Sequence, residues 1–231
     1  MMKKVRFFFW RLVHAYYKYL PYYSIRRLYL PLKNIKIRKP IFLLGVQGGG
    51  LTIVSRSIKR HSNVVSMRGN NTYWTGQDEL MAQKNIPKEF SVLYPENGKS
   101  ICYDEVFGSE RLWWTYATDR LYKKYYCNET SYTHKLDTAF KNIIKVFIRG
   151  YAKNPQHARY CEKSQLFSLK IKLLKRIFPD AKFILVLRNP YAICFRIAKK
   201  NYEAMSSGKI TQYSYEEKLT LAAQHWKNSI Q

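Results

Sequence analysis

Residues 40–58, PIFLLGVQGGGLTIVSRSI, join an apolar run, four glycines and a threonine in an order that suits a phosphate. Ile41 to Leu44 read as a short buried strand, and Leu51 to Arg60 as a helix with Ile53, Val54 and Ile58 on one side. Between them Gly45, Gly48, Gly49 and Gly50 let backbone amides approach an anion at the helix N-terminus. On the nucleotide-binding spacing G-x-x-x-x-G-K-[ST], Gly45, Gly50 and Thr52 fit, but Leu51 stands in place of the lysine. The expected ligand therefore uses the backbone cradle and the threonine without that lysine. A second candidate lies in FPDAKFILVLRNPYAICFRI, residues 178–197. Phe183 to Leu187 are apolar without alternation, which predicts a strand buried on both faces. Arg188 ends that strand, Asn189-Pro190 makes the turn, and Pro190 falls near the first turn of the next helix. An arginine at that point meets a helix N-terminus, so guanidinium and amides can converge on one phosphate.

These residues need a scaffold, and the chain supplies a recognisable one. At 231 residues it is long enough for one well-buried domain and short for two. Hydrophobic residues at 46% exclude a disordered chain, and no uncharged apolar run reaches the length of a membrane-spanning helix. The 41 Lys and Arg exceed the 15 Asp and Glu, a net charge of +26 that favours polyanions, anionic membranes or a strongly anionic small ligand. Four separated cysteines, with no CxxC pair, point to reduced core thiols in a cytosolic protein and to no metal site.

Residues 1–39 stand apart as basic, aromatic and poor in acid. Lys4, Arg11 and Lys18 recur every seven residues among Phe7, Phe8, Phe9, Trp10, Tyr16 and Tyr17. That spacing predicts an amphipathic helix, either lying in a membrane interface or packed on protein. The catalytic domain would span 40–231.

From Pro40 onward strands and helices alternate. Asn63 to Ser66 read as a second strand. Glu110 to Tyr126, Asp137 to Tyr151, Ser164 to Ile177 and Tyr191 to Lys200 have helical spacing, and Ser214-x-x-Glu217 is a capping box for a last helix. This order predicts a three-layer α/β/α domain with a central parallel sheet and a P-loop-like core. Ile41–Leu44 and Phe183–Leu187 should be neighbours, because both must present their C-terminal ends to one nucleotide.

Taken together with CEKSQ between them, the two motifs resemble the sulfotransferases that use 3'-phosphoadenosine 5'-phosphosulfate (PAPS). In that family a strand-loop-helix of the type PIF-x-x-G-x-x-RSGTT holds the 5'-phosphosulfate. An EKSP-type segment then leads to FPDAKFI-x-x-x-RDPRD, whose arginine binds the 3'-phosphate. The resemblance covers roughly residues 40–66 and 160–230. It implies PAPS as co-substrate, no metal, and Gly45, Gln47, Gly48, Gly49, Gly50, Leu51, Thr52, Arg188 and Arg196 as cofactor-binding residues. It also implies a small-molecule or glycan acceptor and no specific nucleic-acid partner.

The departures from the family pattern are as informative. The basic residue of RSGTT falls on Gly48, its serine on Gly49 and its first threonine on Leu51. Lys163 of the EKS segment is the candidate to replace the missing charge. The serine that usually follows the 3'-phosphate arginine by eight residues is Arg196 here. For the base that takes the acceptor's proton, Glu79 and Asp78 come first, then Asp104, Glu105 and His134. Relatives continue past the tryptophan-bearing helix that HWKNSIQ resembles, so the resemblance implies a chain lacking its C-terminal part. Two other readings compete: a degenerate P-loop kinase or NTPase, and a non-catalytic basic protein that binds membranes or polyanions.

Overall fold

The computed structural model describes residues 22–67, 80, 87–95, 115–199 and 214–230. Strand β1 (Ile41–Leu44) is followed by helix α1 (Leu51–Ile58) and the short strand β2 (Val64–Val65). A one-turn helix α2 (Tyr122–Tyr125) precedes the long α3 (His134–Tyr151). Strand β3 (Arg159–Glu162) leads to α4 (Ile171–Ile177), β4 (Lys182–Leu185), α5 (Pro190–Lys199) and α6 (Tyr215–Ile230). The four strands form one sheet in the order β2-β3-β1-β4, and every pair is parallel. Ile41 lies opposite Cys161 on one side and Lys182 on the other, so β1 is central.

Side chains of a strand alternate between faces, and β1 shows how this builds three layers. Phe42 and Leu44 enter a large core with Phe140, Ile144 and Phe147 of α3 and Leu173, Leu174 and Ile177 of α4. Ile41 and Leu43 turn to the opposite face and meet Leu51, Val54 and Ile58 of α1. A third cluster joins Val46, just after β1, to Ile193 and Ile197 of α5 and Leu221 and Ala222 of α6. The fold is an α/β domain with a covered parallel sheet.

Local signals hold at several helix ends. Thr133 caps α3 by accepting from the Leu136 amide at 3.1 Å. The capping box of α6 is complete: the Glu217 amide donates to Ser214 Oγ at 3.1 Å, and the Ser214 amide to Glu217 Oε2 at 2.8 Å.

Three expectations are corrected. β4 is not buried on both faces: among the described residues it is an edge strand, with Ile184 38% and Leu185 48% exposed, and Leu187 just beyond it is 60% exposed. An unbroken apolar run fits an edge as well as a centre, because sheet position is set by distant pairing. The single helix expected over Glu110–Tyr126 is, within its described part, a 3-10 turn at Thr115–Ala117 and then α2. Thr118 Oγ1 donates back to the Thr115 carbonyl at 2.8 Å, a local bond that competes with helix continuation. Ser164–Ile177 is likewise divided, 3-10 over Gln165–Lys170 and α-helical from Ile171. The division falls at Lys170, which is fully buried and donates to the Tyr125 carbonyl and to Cys127 Sγ.

Candidate functional site

The turn between β1 and α1 follows from glycines at the positions that need them. Gly45, Gly48 and Gly50 have φ of +148°, +76° and +101°, where a side chain is strained. Gly50 is the left-handed N-cap of α1, and its carbonyl accepts from the Ile53 and Val54 amides at 3.0 and 3.3 Å. The Gly49 amide closes the turn on the Val46 carbonyl at 3.0 Å. Leu51 and Thr52 are the first two residues of α1, so their amides lack intrahelical acceptors and sit at the positive end of the helix dipole.

A cavity of ≈ 290 Å³ opens on this turn. Gln47, Gly48, Gly50, Leu51 and Thr52 line it from the loop, and Gln165 and Arg196 line it from the other side. The structure thus brings Arg196 of α5 to the glycine loop, as the sequence order alone could not show. Gly45 and Gly49 shape the turn from beneath and do not line the cavity. A Cβ on Gly45 would meet the Val186 carbonyl oxygen of the chain leaving β4 at 2.8 Å. Gly45→Ala is therefore expected to lower stability by roughly 1–3 kcal/mol through overpacking. Urea unfolding checks this, and an unchanged midpoint would show that the β1–β4 contact yields.

Arg188 is exposed just past β4, next to the Asn189 cap whose Oδ1 accepts from the Ala192 amide at 3.2 Å. Leu44 pairs with Leu185, so Arg188 emerges at the same sheet edge as the loop, but it does not line the cavity. Lys163 lies one residue beyond β3 and is buried at 3% exposure, which rules out a solvated surface cation. His134 is exposed in the first turn of α3. Asp78, Glu79, Asp104 and Glu105 fall outside the described residues.

Three residues escaped the sequence reading. His225 of α6 is fully buried and accepts from the Gln47 amide through Nε2 at 3.4 Å, with its ring edge-on to Tyr116 at 5.0 Å. Burial pushes its pKa down to about 3, so the ring is neutral and its accepting nitrogen stays bare. Gln165 stands where the family pattern has proline and places its side chain at the cavity. Glu162, also buried, accepts from Tyr160 Oη at 2.5 Å, Ser164 Oγ at 2.7 Å and the Leu80 amide at 2.9 Å. Burial and the adjacent carboxylate hold the Tyr160 hydroxyl well above its usual pKa, so it remains a donor. The only sequence signal for this set was the period-two spacing of Tyr160, Glu162 and Ser164, which puts three polar groups on one face of a buried strand.

The protein is a parallel α/β domain in which a glycine turn, a helix N-terminus and Arg196 line one cavity, donor types that suit an anion. The family is given by the chain as a whole. A family model described as the sulfotransferase family matches residues 40–231, and the chain belongs to that family. Among curated proteins and among solved structures, none matches it significantly.

Proposed function

We propose that the chain transfers the sulfuryl group of PAPS to a hydroxyl or amino group of a carbohydrate, lipid or other small acceptor. The observation that supports this most is the cavity shared by the glycine loop and Arg196. Its donors are amides at a helix N-terminus, a threonine hydroxyl and a guanidinium, all suited to phosphate and sulfate oxygens. In the reaction the acceptor oxygen or nitrogen bonds to sulfur, and the bond from sulfur to the 5'-phosphate oxygen breaks. Adenosine 3',5'-bisphosphate leaves, and the acceptor's proton passes to a base, for which Glu79 and Asp78 are the candidates.

In this reading the Gly48–Thr52 cradle orients the 5'-phosphosulfate, while Arg188 and Arg196 take the 3'-phosphate. Lys163 continues the phase of Cys161, which faces α1, and is the candidate cation beside the breaking bond. Alignment and charge neutralisation are most of what sulfuryl transfer asks of a protein.

Calorimetry on the full chain with adenosine 3',5'-bisphosphate and with ATP and Mg²⁺ tests the reading. Preference for the bisphosphate supports it, preference for ATP favours a kinase-like protein, and binding of neither favours a non-catalytic relative. Arg188→Ala should weaken the bisphosphate by roughly 1.5–3 kcal/mol while leaving a nucleotide without the 3'-phosphate little changed. Equal losses for both nucleotides would make Arg188 structural.

A further inference from the structure

The segment 22–40 is anchored to the domain and carries large apolar side chains outward near its start. Ser24 is buried and caps the 3-10 turn Ile25–Leu28 by accepting from the Arg26 amide at 3.3 Å. Arg26 reaches inward to the Arg149 and Ala152 carbonyls at the end of α3, and Tyr22 stands edge-on to Phe147 at 6.4 Å. Ile35 is buried, and Leu30, Leu32 and Ile37 pack on the same core. The segment is therefore pinned, and between residues 23 and 29 it turns large apolar side chains to solvent. Tyr23, Ile25, Leu28 and Tyr29 are 70%, 71%, 76% and 68% exposed. Arg27 and Lys33 are exposed among them, and Arg27 lies close enough to Arg149 to repel it.

We propose that this face docks on an anionic lipid surface. Four large apolar side chains within seven residues of a pinned turn form a patch of the kind soluble surfaces avoid. Tyrosine rings and branched aliphatics enter the headgroup boundary, and flanking cations stay at its phosphates. Residues 1–39 contain eleven Lys and Arg and no Asp or Glu, so the complementary surface is negative. A lipid surface is favoured over nucleic acid because Ile25 and Leu28, the most exposed apolar side chains of the patch, gain nothing from a polyanion and are buried by a headgroup boundary. A second copy fits poorly too, since a two-fold contact would bring the cations of both copies into one interface, with no Asp or Glu in residues 1–39 to offset them. Among the described residues no helix is long and apolar enough to cross a membrane, so contact through them is peripheral.

The patch is held through Arg26 at the end of α3, the helix that leads into β3, and its segment runs on to the side where the strands begin. Arg159, the first residue of β3, donates to the Lys39 carbonyl at 2.9 and 2.7 Å, and the Lys182 amide of β4 donates to Pro40 at 2.8 Å. The cavity lies where the strands end. A docked chain thus presents its cavity away from the lipid, and the acceptor reaches it from the aqueous side. That last step rests on the proposed sulfate transfer, whereas docking does not.

The test is flotation of the full chain with vesicles of phosphatidylcholine alone and of phosphatidylcholine with phosphatidylserine, at low and high salt. Binding is expected only to the phosphatidylserine vesicles, weaker at high salt. Arg27→Gln with Lys33→Gln should lose roughly fivefold in affinity per cation. The triple variant Ile25→Ser, Leu28→Ser, Tyr29→Ser should lose about tenfold or more. Bisphosphate binding and melting temperature should be unchanged in both, since the replaced groups are exposed. Absence of vesicle binding overturns the proposal, as does binding that neither variant weakens. A concentration-dependent dimer abolished by the triple variant also overturns it, in favour of a second copy.

Discussion

Gly48→Arg in the full chain is expected to raise the rate of PAPS-dependent sulfate transfer on the order of a hundredfold. In the family pattern a basic residue stands at this point and stabilises the oxygen from which sulfur departs. A donor aimed at a developing charge contributes about 2.7–4 kcal/mol in comparable sites, or 10²–10³ in rate. The loop has room for the change. Gly48 is exposed at the cavity, and a Cβ built on it meets nothing within 4 Å. The cost is conformational, because a φ of +76° penalises an L-residue by about 1–2 kcal/mol. That penalty falls mainly on loop stability, and the gain is placed at the low end because Lys163 is the candidate cation beside the breaking bond and Arg196 adds positive charge at the cavity. Gly48→Ala carries the strain without the charge and should not accelerate transfer. Single-turnover rates for the three proteins decide the matter. Equal rates for the alanine and arginine variants would falsify an electrostatic role for this position.

The parts of the fold legible in the sequence were those encoded within a few residues. The apolar run at Ile41–Leu44, the glycines after it and the box Ser214–Glu217 each specify their own geometry. The pairing of β1 with β4 was also legible, since two strands that deliver ligands to one nucleotide must share a sheet edge. β3 was not read, because Arg159, Tyr160 and Glu162 make a polar strand whose burial is tolerated only once Tyr160, Ser164 and Leu80 satisfy the carboxylate. The exposure of β4 was misjudged because composition reports apolarity, and edge position depends on which strand pairs alongside. At the candidate site the loop and Arg188 were named from order and spacing, and Arg196 from the family resemblance. His225 was not, because the residue it serves, Gln47, lies 178 positions away and no local pattern links them.

Below about pH 6.5 the folded chain is expected to lose stability through His225, and His225→Gln should remove that loss. In the unfolded chain this histidine takes a proton near its ordinary value of 6.5, while in the folded chain burial delays protonation to about 3. Between those values the unfolded state binds more protons, so unfolding becomes easier as the pH falls. The slope from one such group approaches about 1.4 kcal/mol per pH unit. From pH 7 to 4.5 the integrated loss is roughly 2.5 kcal/mol, and above the unfolded value it vanishes. Carboxylates titrate in the same range, so the informative quantity is the difference between the wild type and the glutamine variant in denaturant midpoints across pH. The variant should show a shallower decline and, because its side-chain carbonyl can accept from the Gln47 amide, near-normal bisphosphate binding at pH 7. His225→Leu removes the acceptor and should weaken bisphosphate binding by roughly 0.5–1.5 kcal/mol, since the Gln47 amide is then left without its anchor. Parallel pH profiles for wild type and His225→Gln would mean that the ring protonates as readily folded as unfolded. His225 would then not be the neutral acceptor beneath the loop.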